Sequence, residues 1–398
     1  MPSHASSRSA ARLRRIAAVA ACLTYAFLAI GSAADRLVPK HPDLATQVPG
    51  LFASEALRSK GIGSLEAGNS KAAMAFGEAV VRQEPVDPSS TALLGAARFA
   101  EGEQIGAERA FTVAGKLGWR VPLTQLYWMG KALDGGDFGV AALRLDALLR
   151  QKPAQLKDRR LLDPMESDPR GRAAMVGRML LQPNWLKPYA DSVYDIAPQA
   201  MRYRALVLDE LGRRGRRVGC AQIGSATSRL VNIGAAAQAA ELWRLHCPAA
   251  GTGLVFDGHF VNASLAAVAS PFAWATAGDS DTSLAFAPAA GGQRLMVVGA
   301  APFERVLLSQ LLVVPPGSYV LSWNAETGSG TPTDRVRAGI GCAQQSKEWL
   351  AAKFDGRSRR WVAPVIIGSD CAGHWLKFGV SANAGSVWLE QVDLKPAR

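Results

Sequence analysis

The residues with chemistry to offer are few. Five cysteines occur, and Cys22 falls in an apolar leader. The other four come as Cys220 with Cys247 and Cys342 with Cys371, 27 and 29 positions apart. In an exported chain an even count reads as disulfides, and four cysteines allow three connectivities. The two local pairs are expected, because each lies within one structural block. There is no Cys-x-x-Cys spacing for a metal, and His246 beside Cys247 reads as a helix-end residue. No cofactor is expected.

Aromatic rings and guanidinium groups are the other resource. Trp274, Trp349, Trp361, Trp375 and Trp388 all fall in the C-terminal part. A sugar's C–H face stacks on an indole, but a Trp on an alternating strand is usually core. Trp349 follows Lys347-Glu348 and Trp361 follows Arg357 to Arg360, so these two are the candidate glycan platforms. Arg335 and Arg337 alternate on one strand face, with the geometry to meet a uronate or phosphate bidentately, although a solvated face has the same pattern.

Catalysis has no such support. Glycoside hydrolysis needs two carboxylates across a cleft. Asp279, Asp281, Glu304, Glu326 and Asp334 lie in or near predicted loops, and no spacing singles out a pair. Gly-x-Ser-x-Gly, His-Glu-x-x-His and a phosphate-cradling loop are all missing, and only five His occur. The chain is not expected to be an enzyme.

These residues sit on a 398-residue chain, enough for two or three domains. It is 48% hydrophobic, which excludes wholesale disorder, and a single long apolar run excludes a multi-span membrane protein. Residues 1–34 carry Arg8, Arg12, Arg14 and Arg15 and no acid, then the uncharged run Ile16–Ile30 and Gly31-Ser32-Ala33-Ala34. A positive start, a greasy middle and small residues make an export signal, cut after Ala33 or Ala34, or an uncleaved anchor. Its positive end would stay cytoplasmic and the rest would face the periplasm. Val19-Ala20-Ala21-Cys22 resembles a lipoprotein box, but it lies too early. The net charge of +12 suits anionic lipid or acidic polysaccharide. Its densest patch, Arg213 to Arg217, lacks interleaved aromatics, so nucleic acid is not expected.

After a linker at 35–49, residues 50–250 read as helical. Gly68, Gly102 and Gly136 recur every 34 residues, and Gly171 follows at 35. Ala72-Ala73, Ala107 with Ala110-Phe111, and Ala141-Ala142 sit just after these turns, and Pro88, Pro122 and Pro153 close units. Small residues let helices approach, Gly permits the turn and Pro stops a helix. The pattern over roughly 50–155 resembles the tetratricopeptide repeat, as does the run Leu123-Tyr127-Gly130-Ala132-Leu133. That resemblance implies an α-solenoid whose concave face binds a protein partner. The phase drifts over 156–250, where Cys220 and Cys247 would staple the last helix pair.

Residues 251–398 turn β-rich. Candidate strands are 254–257, 271–275, 282–287, 294–299, 305–314, 318–326, 335–342, 360–367, 374–381 and 386–394. Many short strands at this spacing suggest an antiparallel sandwich. Phe256-Asp257-Gly258-His259-Phe260, the stretch from Ser309 to Trp323 and Trp388 to Leu394 resemble the opening, central hairpin and last strand of galactose-binding-like jelly rolls, which include many carbohydrate-binding modules. The resemblance implies a jelly roll and a sugar ligand. In that family an acid after the opening Phe and paired Asp in the last strand often hold calcium. Here Val261 and Glu390-Gln391 stand there, and only Asp257, Glu390 and Asp393 could contribute, so a structural calcium is not expected.

The whole reads as an α-solenoid followed by a β-sandwich. It would be an exported envelope scaffold whose repeats bind a protein, with the sandwich packing on them or binding glycan, accessory to surface polysaccharide assembly or export. The alternatives are a carbohydrate-binding protein with the repeats as spacer, and a carbohydrate-active enzyme.

Overall fold

The computed structural model describes residues 4–193, 195–247, 251–264, 268–277, 282–299, 303–344 and 348–397, with side chains from Arg14 onward. Two compact units divide at Gln151/Lys152. Helices come first and antiparallel sheets follow, as composition and periodicity predict.

The first unit opens with α1 (His4–Leu37), whose stretch Arg14–Leu37 is long and apolar enough to cross a membrane. Its end is built into the unit. Val38, Ala45 and Val48 are buried with Ala53 and Ala56, so the 35–49 segment is folded. Asp35 is itself buried, and its carboxylate accepts 2.9 Å hydrogen bonds from the backbone N–H of Glu55 and Ala56. It thereby satisfies orphan donors at the start of α2 (Ser54–Glu66).

Three helix pairs make up the remainder: α2 with α3 (Ser70–Gln83), α4 (Pro88–Ala100) with α5 (Gln104–Leu117), and α6 (Pro122–Asp134) with α7 (Phe138–Gln151). Gly68, Gly102 and Gly136 occupy the turns at φ +72°, +84° and +70°, where an L side chain would be strained. The alanines of the 34-residue period, Ala73, Ala107 and Ala141, are fully buried where helices touch.

The second unit begins with α8 (Arg159–Ser167), α9 (Pro169–Met179), α10 (Leu186–Asp191) and α11 (Pro198–Arg213) around a buried polar knot. The Glu166 carboxylate accepts from Tyr189 Oη at 2.8 Å, Arg204 Nε at 3.0 Å and Arg159 Nη2 at 2.6 Å. Then come α12 (Cys220–Asn232) and α13 (Ala236–His246), bridged by the Cys220–Cys247 disulfide with Cα atoms 4.4 Å apart.

The sandwich pairs two antiparallel sheets. One has the order β1 (Ala275–Thr276), β4 (Arg305–Leu312), β9 (His374–Val380), β6 (Val336–Gly341). The other has the order β2 (Thr282–Ala289), β3 (Gly292–Gly299), β10 (Gly385–Pro396), β5 (Gly317–Thr327), β8 (Arg360–Ile367), β7 (Lys353–Asp355). Between them Leu295, Leu321, Trp323, Leu376, Phe378 and Leu389 are almost wholly buried. Along β5 the residues Tyr319, Leu321, Trp323 and Ala325 point inward in strict alternation.

Two expected strands are corrected. Residues 254–257 form bends and turns, because the backbone of Phe256 bonds the side chain of Gln310, N to Oε1 at 3.0 Å and O to Nε2 at 2.8 Å. A glutamine amide therefore replaces a strand partner. Over 271–275 only Ala275 enters a strand, because Ser270 Oγ accepts from the Phe272 N–H and tightens a turn there.

Candidate functional site

The polar and aromatic residues that sequence singles out meet at one edge of the sandwich. In the β5–β8 ladder Trp323 stands opposite Trp361. Directly opposed residues share a face, so the two indoles lie side by side toward the inner space. From the other sheet the edge strand β6 supplies Val336 and Ala338 inward, with Arg335 just before it and Arg337 on it. The Leu350–Ala352 segment runs beside β6, its Leu350 N–H donating to Ala338 O at 2.8 Å. The result is an open cleft of about 400 Å³ lined by Trp323, Trp361, Asp334, Arg335, Arg337 and Ser381, among others.

The two arginines differ. Arg337 Nη1 lies 2.7 Å from Glu304 Oε1, and that pair neutralises it. Arg335 Nη1 donates to Ala384 O at 2.8 Å, which fixes the plane of the guanidinium. Trp349 is not in the cleft. It lies half-buried on the outer face of the β6/β9 sheet, over Gly339 and Gly379, where any Cβ would collide with the indole or with nearby backbone. Arg337 approaches that ring to 6.0 Å. Thus Trp361 and Arg335 are brought to one cleft, while the Arg337 side chain lies with Trp349 on the outer face of the β6/β9 sheet.

Trp323 is the core residue that backs Trp361, 1% exposed and packed edge-on against Phe378, as its inward alternation along β5 indicates. Of the other tryptophans, Trp274 is core and Trp388 carries the Arg294 guanidinium 3.7 Å above its ring.

The acidic candidates are dispersed in role. Glu304 holds Arg337, Glu326 lies on β5 opposite Trp388, and Asp334 is exposed at the cleft rim. Asp279 and Asp281 lie outside the described residues. For calcium, Asp393 pairs with Lys395 at 2.7 Å, and Asp257 accepts from the Asn262 N–H at 3.0 Å. Burial pushes the Asp257 carboxyl up, against the pull of backbone N–H groups at 261–263. Asp257, Glu390 and Asp393 form no ligand cluster among the described residues.

One cluster of ligand-type atoms does occur. Cys342, Asp370, Cys371 and His374 lie within 4.8 Å of one another. Cys342 and Cys371 are bonded as a disulfide with Cα atoms 5.8 Å apart, which removes both thiolates as metal ligands.

A second concavity belongs to the helical unit. Phe111 stacks on Tyr127 with centroids 4.1 Å apart, and half-exposed Phe99 meets Tyr127 edge-on at 5.9 Å. They line an apolar groove of about 310 Å³ with Leu123, Leu126 and Lys131. Lys131 is held by Glu108 at 3.2 Å, which raises its pKa.

No protein-family model and no curated protein matches the chain. Two solved structures align to 37% of it and to all of their own length. One is a protein from Bacteroides thetaiotaomicron described as a candidate sugar binder, at 13% identity and TM-score 0.27. The other is the module TmCBM61 in complex with β-1,4-galactotriose, at 15% identity and TM-score 0.23. At such scores neither neighbour bears on the ligand of this chain.

Proposed function

We propose that this protein is an exported, membrane-anchored binding protein of the bacterial envelope. Its sandwich takes a glycan in the β6/β8 cleft, and its tetratricopeptide-like helical unit docks a protein partner. The observation that carries the glycan reading is the part-exposed Trp361 indole, backed by the buried Trp323 and sharing one open cleft of sugar-accommodating size with Arg335. Aromatic walls give a pyranose its apolar contact, and fixed polar groups orient its hydroxyls. The Phe99–Phe111–Tyr127 groove supports the protein partner, since a half-exposed aromatic rim anchors an apolar side chain from another chain. Export and anchoring rest on α1 and on the two disulfides. Such a protein suits a role accessory to surface polysaccharide assembly or export.

The reading is a binding one without turnover, because Glu304 is committed to Arg337 rather than poised across the cleft. The test is a glycan array probed with the full chain in a detergent that has no sugar headgroup. Binding to a polysaccharide that is lost in Trp361→Ala, with no new reducing ends on long incubation, is the expected result. Silence across the array would overturn the glycan reading, and reducing ends released by wild type alone would overturn the absence of catalysis.

A further inference from the structure

We infer that the glycan held in the cleft is acidic, its carboxylate seated on the guanidinium of Arg335. This rests on the glycan reading above and names the ligand class.

The indole nitrogens of Trp323 and Trp361 are enclosed, so a ligand in the cleft meets its guanidinium groups instead. A guanidinium only donates. Arg335 spends one N–H on Ala384 O, and among the described residues no carboxylate comes within ion-pair distance of it. The Ala384 bond pins the fork and leaves Nε and Nη2 for a ligand, which is the arrangement that receives a planar carboxylate on two parallel hydrogen bonds.

Arg337, by contrast, already has Glu304 and adds no uncompensated charge. The acceptors at the same cleft are the carboxylate of Asp334 and the hydroxyl of Ser381, which suit sugar hydroxyl groups. A neutral sugar would leave Arg335 with water. A uronic acid brings an acceptor-rich group to the donor-rich end and hydroxyl donors to Asp334.

The experiment compares the full chain, in a detergent without sugar headgroups, on polygalacturonate, polymannuronate and hyaluronate. Each is set against the same polymer with its carboxyl groups reduced to alcohols, and dextran sulfate is a further arm. At least one uronate polymer should bind about tenfold more tightly than its reduced form, and that preference should vanish in Arg335→Gln while the weaker affinity for the reduced polymer persists. Trp361→Ala removes the ring wall and should weaken both. Unchanged thermal melting of each variant shows that the fold is intact.

Equal binding to native and reduced polymers overturns the acidic ligand and leaves the glycan reading standing. No binding to any polymer, together with a silent array, overturns both. Dextran sulfate bound as tightly as the best uronate overturns the carboxylate: if Arg335→Gln abolishes it the ligand is a sulfated sugar, and if not it is diffuse attraction to a chain of net charge +12.

Discussion

The hydroxyls of Thr227 and Ser270 lie 2.9 Å apart, and both are buried where α12 meets the approach to the sandwich. Ser228 Oγ donates to Ala269 O at 2.9 Å beside them, and a Cβ at Gly224 would press on Ala269 O at 3.1 Å. Trp243 of α13 faces Phe272 at 6.5 Å, and the Arg244 guanidinium lies 5.0 Å from the Phe256 ring. The last helix pair and the sandwich therefore share one wall.

A cut at Gly251 would strip that wall. Phe256 and Phe272 would meet water, at a cost of about 1.5–3 kcal/mol per large side chain. The 251–398 fragment is expected to aggregate or to melt well below the 152–398 fragment, which contains the whole compact unit. Thermal melting of the two side by side decides it, and equal midpoints would show that the sandwich is self-sufficient.

Glu166 is the second test. Its side chain and that of Arg204 are both completely buried, with Tyr189 and Arg159 on the same carboxylate. Burial and the neighbouring carboxylate push the Tyr189 hydroxyl well above its ordinary value, so it stays a neutral donor. Glu166→Leu leaves a buried guanidinium without its partner and should cost roughly 3–5 kcal/mol, whereas replacing Glu166, Arg204 and Tyr189 together with apolar residues should cost less than the single change. Urea melts of the two variants measure the difference.

The Glu166 knot also shows where sequence stops being readable. A glutamate and an arginine 38 positions apart look like two surface charges until packing encloses them. The 34-residue glycines were legible because each sits at a positive φ that other residues avoid, so the backbone writes itself into the composition. Strand β5 was legible because one of its faces is buried, which enforces alternation. The Phe256 segment misled because its apolar run reads as strand while its backbone partner, Gln310, is a side chain 54 residues away. In the cleft the residue types of Trp361, Arg335 and Arg337 could be picked out, but not that Glu304 neutralises Arg337 or that Trp323 lies opposite Trp361. Those are facts of strand register, and register between non-adjacent strands leaves no local mark.

The two disulfides should respond differently to reductant. Cys247 is buried while Cys342 is exposed, so a dithiol should open Cys342–Cys371 first, as seen by mass spectrometry of alkylated thiols. The loop closed by Cys220–Cys247 spans a separation of 27 residues. Its loss in the Cys220→Ala/Cys247→Ala variant should cost about 3 kcal/mol through loop entropy in the unfolded chain. A variant as stable as wild type would mean that the α12–α13 packing alone holds the pair together.

Finally, His246 gives the second unit a pH dependence with a defined sign. The ring is fully enclosed; its Nδ1 accepts from the Val218 N–H at 3.3 Å, so Nε2 carries the proton and donates to Leu208 O at 2.8 Å. Burial lowers its pKa; the Leu208 carbonyl and Asp209 pull the other way, and Arg217 adds to the lowering. In the unfolded chain the imidazole takes up a proton near pH 6.5, while in the folded chain it stays neutral to a lower pH. Between those values the unfolded state binds more protons, so stability is complete above about pH 6.5 and falls as the pH drops toward the lowered folded value. The slope in that window should approach about 1.4 kcal/mol per pH unit. His246→Gln retains an acceptor and a donor without a titrating ring, and its stability should be flatter across the same window. Urea denaturation at intervals between about pH 7 and 5 reads both curves, and parallel slopes for wild type and variant would assign the pH dependence to another group.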